Sequence, residues 1–174
     1  MAALRALLDG LYRVSGVAAA LCLIAILTLI VLQMLARWTG EVFPGAPEYA
    51  GYAMAAASFL AFASALNHGS HIRVSILLNS LGPRAGRALD IWCFVIGSAV
   101  AWYFTYYAWR FVNFSYKFKD ISQGQDRTLL WMPQSLMLIG AAILAVALTD
   151  NLIHLIVTGK NRVVRDLVDQ SHGE

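Results

Sequence analysis

Four long apolar segments separated by short polar ones dominate the pattern of this chain. No Asp, Glu, Lys, Arg or His interrupts residues 14–36, 49–66, 91–109 or 129–149. A helix of about 20 apolar residues crosses the hydrocarbon core of a bilayer. The pattern therefore predicts an all-α integral membrane protein with four transmembrane helices. The predicted spans cover about residues 14–37, 48–67, 84–112 and 131–157.

The polar interval between the second and third spans has a pattern of its own. Within residues 71–82, four apolar side chains fall on one face of a helical wheel, namely Val74, Leu77, Leu78 and Leu81. Ile72 and Ile76 fall nearly opposite that face, so the amphipathic pattern is partial. Arg73, Asn79 and Ser80 are placed toward water, and Gly82-Pro83 ends the segment. This pattern predicts a short helix lying in the membrane interface.

The two flanking spans differ in side-chain size. Eleven of the eighteen residues 49–66 are Gly, Ala or Ser, which allow the close helix contacts typical of membrane interiors. Ten of the seventeen residues from Trp102 to Phe118 are aromatic. Trp and Tyr collect at the membrane–water boundary, so we expect that end of the third span to be anchored there. Counted from Pro83, this helix exceeds the hydrocarbon thickness, so we expect tilt or protrusion into the periplasm.

Composition supports one membrane domain covering residues 1–174, with a polar C-terminal tail at 159–174. The chain is 59% hydrophobic and 13% charged, whereas soluble domains are about 25% charged. Its net charge of +3 comes from basic residues scattered between apolar runs. They form no basic stripe, so the sequence predicts contact with membrane lipid and none with nucleic acid.

The distribution of Lys and Arg predicts the orientation. Eight of them lie in the N-terminal tail, the central loop and the C-terminal tail, and five lie on the other side. The positive-inside rule then places both termini in the cytoplasm. Arg84 and Arg87 are predicted topology anchors of the central loop, together with Asp90, which is three residues after Arg87 and on the same helical face.

No catalytic or cofactor motif is present. The sequence has no HExxH, GxSxG or P-loop pattern, so we expect neither an enzyme nor a bound cofactor. Cys22 and Cys93 lie in apolar runs and are interpreted as packing residues. Two alternatives stay open for a stand-alone tetraspan protein. One is a haem-binding redox protein that uses His68 or His154, and the other is a small exporter.

The mixed-charge stretch at residues 115–128 and the end of the third span form a second candidate surface. Solvated surface is one interpretation of these charges. The other is a docking site for a periplasmic protein. Its candidate residues are Arg110, Lys117, Lys119, Asp126 and Arg127.

One short pattern resembles a known family. Glu48 opens the small-residue second span, and His68 and the run His71-Ile72-Arg73-Val74 follow it. With four spans and both termini inside, the chain resembles the small, DctQ-like membrane subunit of TRAP (tripartite ATP-independent periplasmic) transporters. Glu48, His68, His71 and Arg73 correspond to family-motif positions with structural or interface roles.

The resemblance implies a non-catalytic scaffold in the bacterial inner membrane. Such a subunit binds and orients a large transmembrane transport subunit in a sodium-driven transporter for an organic acid. The second implied partner is a periplasmic substrate-binding protein, which the small subunit helps to dock.

Overall fold

The four predicted spans form four long helices. The computed structural model describes residues 2–41, 44–67, 83–124 and 127–158. The helices are α1 (Ala2–Trp38), α2 (Ala46–Asn67), α3 (Pro83–Phe118) and α4 (Trp131–Thr158). By length and composition, each could cross a membrane. The prediction of an all-α protein with four such helices is therefore confirmed, whereas the predicted interfacial helix at 71–82 and the tail at 159–174 lie outside the described residues.

The helices alternate in direction and so define two ends of the molecule. At the loop end, α1 and α3 finish and α2 and α4 begin. At the termini end, α1 and α3 begin and α2 and α4 finish. Contacts along the helices agree with this arrangement, since Gly16, in the half of α1 nearer the termini end, lies beside Ser64, close to the termini end of α2.

The helices pack in a row whose order differs from their order in the chain. α1 packs against α2, α2 against α4, and α4 against α3, whereas α1 and α4 touch only lightly. A small core lies where three helices meet and contains Tyr12, Ala63, Leu66 and Ala147. Because α1 and α3 each have one main neighbour, most of their apolar surface faces outward.

Close backbone contact joins α2 to α4 at the middle of the row. A Cβ added to Gly140 would lie 2.6 Å from the carbonyl carbon of Phe59 and 2.7 Å from its oxygen. Real Cβ atoms do not approach backbone so closely, so only glycine permits this helix separation. Small residues provide such packing in membranes, where apolar burial gives helices little reason to associate.

Hydrogen bonds between side chains join α3 to α4. The hydroxyl of Thr149 donates to the carbonyl of Ala145 at 2.8 Å. Its oxygen accepts from Trp102 Nε1 at 3.1 Å and lies 3.0 Å from Ser98 Oγ. Since the Thr149 proton is already used, Ser98 is the donor in that contact. A single hydroxyl therefore connects two α3 side chains to α4.

The ends of α3 and α4 are level at the loop end. The rings of Tyr116 and Trp131 meet edge to face there, with centroids 5.6 Å apart. α3 has 36 residues and α4 has 28, so the extra length of α3 lies at its Pro83 end. At the aromatic end α3 stops at Phe118, and the chain turns back at once toward α4. The expected tilt or protrusion of α3 relative to a membrane stays a prediction.

Candidate interaction surface at the loop end

Glu48 lies in the first turn of α2, the position that its place after Pro47 predicts. Gly45 precedes the helix with a φ of +81°, and its carbonyl accepts the first helical hydrogen bond from Tyr49 N–H at 3.0 Å. Proline is tolerated at this point because the first N–H groups of a helix have no helical partner. A carboxylate here also faces the positive end of the helix dipole.

The half-buried Glu48 side chain packs on the connection between α3 and α4. A Cβ added to Gly124 would lie 2.7 Å from Glu48 Cγ and 2.8 Å from Oε1. The Gly124 backbone and the Glu48 side chain are therefore in direct contact, with no room for a side chain between them. A second contact follows, in which Thr128 Oγ1 donates to the Tyr49 hydroxyl at 3.4 Å. The connection is thus fastened to α2 at two neighbouring residues.

The connection itself, hereafter the 119–130 loop, is closed by a short antiparallel pairing. Ile121 and Leu129 form a β-bridge. Ser122 N–H donates to the Thr128 carbonyl at 2.8 Å, and Leu130 N–H donates to the Asp120 carbonyl at 3.0 Å. These bonds give the described part of the loop a defined backbone path.

Two cations of this loop have left-handed backbone conformations. Lys119 has a φ of +53° and Arg127 a φ of +49°, and both side chains are exposed. This region is uncommon for residues other than glycine and asparagine. Arg110 and Lys117 are also exposed, on the neighbouring turns of α3. Of the five predicted docking residues, the structure therefore places these four at or near one end, and Asp126 lies outside the described residues.

Lys119 occupies the position that ends α3. Asp120 N–H donates to the Ser115 carbonyl at 3.1 Å, and Lys119 N–H donates to the Tyr116 carbonyl at 3.4 Å. This is the Schellman motif, which normally has glycine at the left-handed position. α1 ends in the same way at Gly40, whose φ is +79°.

The predicted anchors lie at the termini end. Arg87 Nη2 donates to the carbonyl of Ile156 at 3.5 Å, close to the C-terminus of α4, where the helix dipole favours a cation. Asp90 is half-buried. Arg84 lies within α3, but its side chain is not among those described. The motif residues His68, His71 and Arg73 lie outside the described residues.

The other histidine candidate, His154, contacts its own helix. Its Nδ1 lies 3.2 Å from Thr158 Oγ1, four residues further along α4. Among the described residues, no three His, Cys, Asp or Glu side chains converge as metal ligands would.

A cavity opens between α2, α3 and α4. It has a volume of about 410 Å³ and is apolar throughout. Its lining residues are Phe59, Gly97, Val100, Ala101, Phe104, Ala141, Leu144 and Leu148. Phe59 and Phe104 stack with ring centroids 5.7 Å apart, so α2 and α3 meet mainly through two aromatic rings at this point.

A comparison with protein families identifies the family of this chain. The model of one family, described as "Tripartite ATP-independent periplasmic transporters, DctQ component", matches residues 26–158. This match covers well over half of the chain. The chain belongs to the DctQ family. It is accordingly a component of a transporter and a multi-pass membrane protein, and the resemblance found in the sequence is confirmed. No curated protein matches this DctQ chain.

The DctQ match includes Glu48, all of α2, α3 and α4, and the second part of α1. Sequence reasoning had identified Glu48 but not its contact, because the pattern shows Gly124 only as a turn residue. Ser98 and Thr149 were also missed. A lone hydroxyl in an apolar run gives no sign of whether it bonds its own helix or another.

Proposed function

We propose that this chain is the non-catalytic scaffold subunit of a sodium-driven transporter for an organic acid. In this proposal it binds and orients the large transmembrane transport subunit and helps to dock the periplasmic substrate-binding protein. Membership of the DctQ family supports the transporter context. The observation that supports a scaffold role is the packing of the helices in a row, in which they bury little of each other's apolar surface.

A row leaves apolar surface free on both faces. Buried residues make up 11% of the most apolar 18-residue stretch of α1 and 17% of that of α3. The corresponding share is 28% for α2 and α4. Lipid can cover such a surface, and so can the helices of a larger subunit. We favour the larger subunit because the family description makes this chain one component of three.

The apolar runs and the described cavity favour no path for a charged substrate through this chain. The four uncharged runs contain no Asp, Glu, Lys, Arg or His, and residues of these types mark ion and proton pathways in membranes. The cavity between α2, α3 and α4 is lined by apolar side chains, which cannot replace the water around a carboxylate or a sodium ion. These features favour transport through another chain.

The proposal places the chain in the bacterial inner membrane with both termini in the cytoplasm. The excess of Lys and Arg at the termini end supports this orientation. The loop end then lies in the periplasm, where a soluble binding protein would meet it. His68, His71 and Arg73 would lie on the cytoplasmic side, and we assign them structural or interface roles.

Reconstitution tests the proposal. Liposomes would contain this chain, the large subunit of the same transporter, or both, with the soluble binding protein outside and an inward sodium gradient. We expect uptake of labelled carboxylic acids only when both membrane chains are present. We also expect a tag on this chain to recover the large subunit from detergent extracts. Sodium-dependent uptake by this chain alone would overturn the proposal.

A further inference from the structure

We propose that Glu48 is the positioning residue of the 119–130 loop. By fastening the loop to the start of α2, it holds Arg127 beside Lys119, which the end of α3 fixes, so that both cations contact an acidic surface of the soluble binding protein. The inference rests on the proposed function, because it needs a periplasmic partner at the loop end.

The first step is the fastening. Gly124 lies against Glu48 so closely that a Cβ there would be 2.7 Å from Cγ and 3.1 Å from Cδ. The adjacent residue Tyr49 accepts a hydrogen bond from Thr128 on the returning strand. Both attachments come from consecutive residues in the first turn of α2. Loss of the Glu48 side chain would therefore remove one of these two attachments and loosen the outer part of the loop, which includes Arg127. The bridge at Ile121 and Leu129, and Lys119 on its α3 side, would stay in place.

The second step is the backbone at the two cations. Lys119 and Arg127 lie just outside the paired residues, and both have left-handed φ angles. Such conformations persist when the surrounding structure imposes them, and they concentrate at functional sites. Glycine ends α1 in the corresponding position, at Gly40. A lysine in the same motif on α3 lowers stability relative to glycine, but it places a positive charge at a defined position.

The third step is the chemistry of the partner. Lys119 and Arg127 are exposed, whereas the nearest described carboxylate of the loop, Asp120, is half-buried. Arg110 and Lys117 add exposed positive charge on α3. A cationic surface attracts an acidic protein surface and increases its association rate, an effect that salt weakens. The described part of the loop has a defined shape, which favours a protein partner over a lipid headgroup, because a headgroup needs no defined shape.

The test uses the complete membrane complex in nanodiscs and the soluble binding protein, with affinity measured at two salt concentrations. Lys119→Glu with Arg127→Glu should weaken binding by about tenfold or more and reduce its salt dependence. Arg37→Glu, at the exposed end of α1, is the matched control and should leave binding unchanged. Equal effects of the two changes would overturn the docking surface.

Glu48 requires a separate comparison. Glu48→Ala should weaken binding several-fold while the salt dependence remains, because both cations are present but Arg127 is held less firmly. Glu48→Gln preserves the shape of the side chain and should restore most of the affinity. The control is Glu41→Ala, which removes an exposed carboxylate at the same end. If Glu48→Ala behaves like Glu41→Ala, Glu48 has no positioning role.

Two further measurements keep the outcomes distinct. Cysteines at positions 48 and 124, in a background with Cys22→Ser and Cys93→Ser, should form a disulfide in the periplasm. Its Cβ atoms need a separation of roughly 3.5–4.5 Å. Failure to form it would overturn the contact between Glu48 and Gly124 even if the Glu48→Ala variant did not assemble.

The second measurement concerns the partner. If the charge reversals weaken binding to anionic lipid vesicles but not to the binding protein, the proposed partner is wrong. Each variant is also tested for co-purification with the large subunit. A variant that loses affinity for the binding protein but still recovers the large subunit affects docking alone. Failure of the wild-type chain to recover the large subunit would instead count against the scaffold function.

Discussion

Gly140 of α4 lies against the backbone of Phe59 in α2, and this contact sets the separation of the two central helices. A Cβ at position 140 would meet the carbonyl carbon of Phe59 at 2.6 Å. Backbone atoms cannot rotate away as a side chain can. Any larger residue must therefore push α2 and α4 apart along the line where they pack.

We predict that Gly140→Ala destabilises the protein by roughly 1–3 kcal/mol, the usual cost of overpacking. Thermal unfolding in detergent, followed by circular dichroism, measures the change. The matched control is Gly51→Ala, which lies within α2 and has nothing within 4 Å of an added Cβ. Alanine has the higher helix propensity, so this control should be neutral or stabilising. Equal stability of both variants would contradict the close approach.

The hydroxyl of Thr149 provides a second test. Thr149→Val keeps the shape of the side chain but removes the acceptor for Trp102 and Ser98, so we predict a loss of about 1 kcal/mol. Trp102 fluorescence should also change, because its indole N–H loses its partner. Thr105→Val is the control, since its hydroxyl donates to the Ala101 carbonyl of its own helix. An effect as large for Thr105 as for Thr149 would argue against a specific link between α3 and α4.

The Schellman motifs that end α1 and α3 predict stability changes of opposite sign, because one has glycine and the other lysine at the left-handed position. Lys119→Gly should stabilise the protein by about 1 kcal/mol, because glycine adopts the left-handed conformation without steric cost. Gly40→Ala should destabilise it by a similar amount, for the reverse reason. Paired thermal unfolding curves measure both. If both variants shift stability in the same direction, the Schellman motif at Lys119 is not as described.

Orientation can be tested with single cysteines in a background lacking Cys22 and Cys93. Lys117→Cys lies at the loop end and Arg5→Cys at the termini end, and both positions are exposed. In intact spheroplasts, a membrane-impermeant thiol reagent should label position 117 at once and position 5 only after lysis. The reverse pattern would show that the termini face the periplasm and would remove the basis for periplasmic docking at the loop.

The four helices could be predicted because lipid imposes a simple requirement. Backbone groups in hydrocarbon must be bonded internally, so an apolar run of sufficient length is a helix. The order of packing could not be predicted in this way. In a soluble helix, polar residues mark the exposed face, but here outward-facing residues such as Leu27 and buried ones such as Ala63 are both apolar. The sequence therefore gives little contrast from which to infer neighbours.

The candidate surface at the loop end could also be predicted only in part. Glu48 stood out because a carboxylate is rare at the start of an apolar run, and the charges at 110–127 stood out for the same reason. The contact that brings Glu48 and these charges together is made at Gly124, where the lack of a side chain lets Glu48 approach the loop backbone. Trp102 is a further example: its place in an aromatic series predicts an interfacial anchor, and nothing in that pattern indicates that its indole N–H bonds to Thr149.

The row order of the helices also implies an order of assembly during synthesis. α1 is followed directly in the chain by its main neighbour α2, and α3 by its main neighbour α4. Each pair can therefore form as a helical hairpin as soon as its second member enters the membrane, without waiting for distant parts of the chain. The remaining long-range step is the joining of two finished hairpins along α2 and α4, and the meeting of Gly140 with Phe59 would be the event that completes the fold.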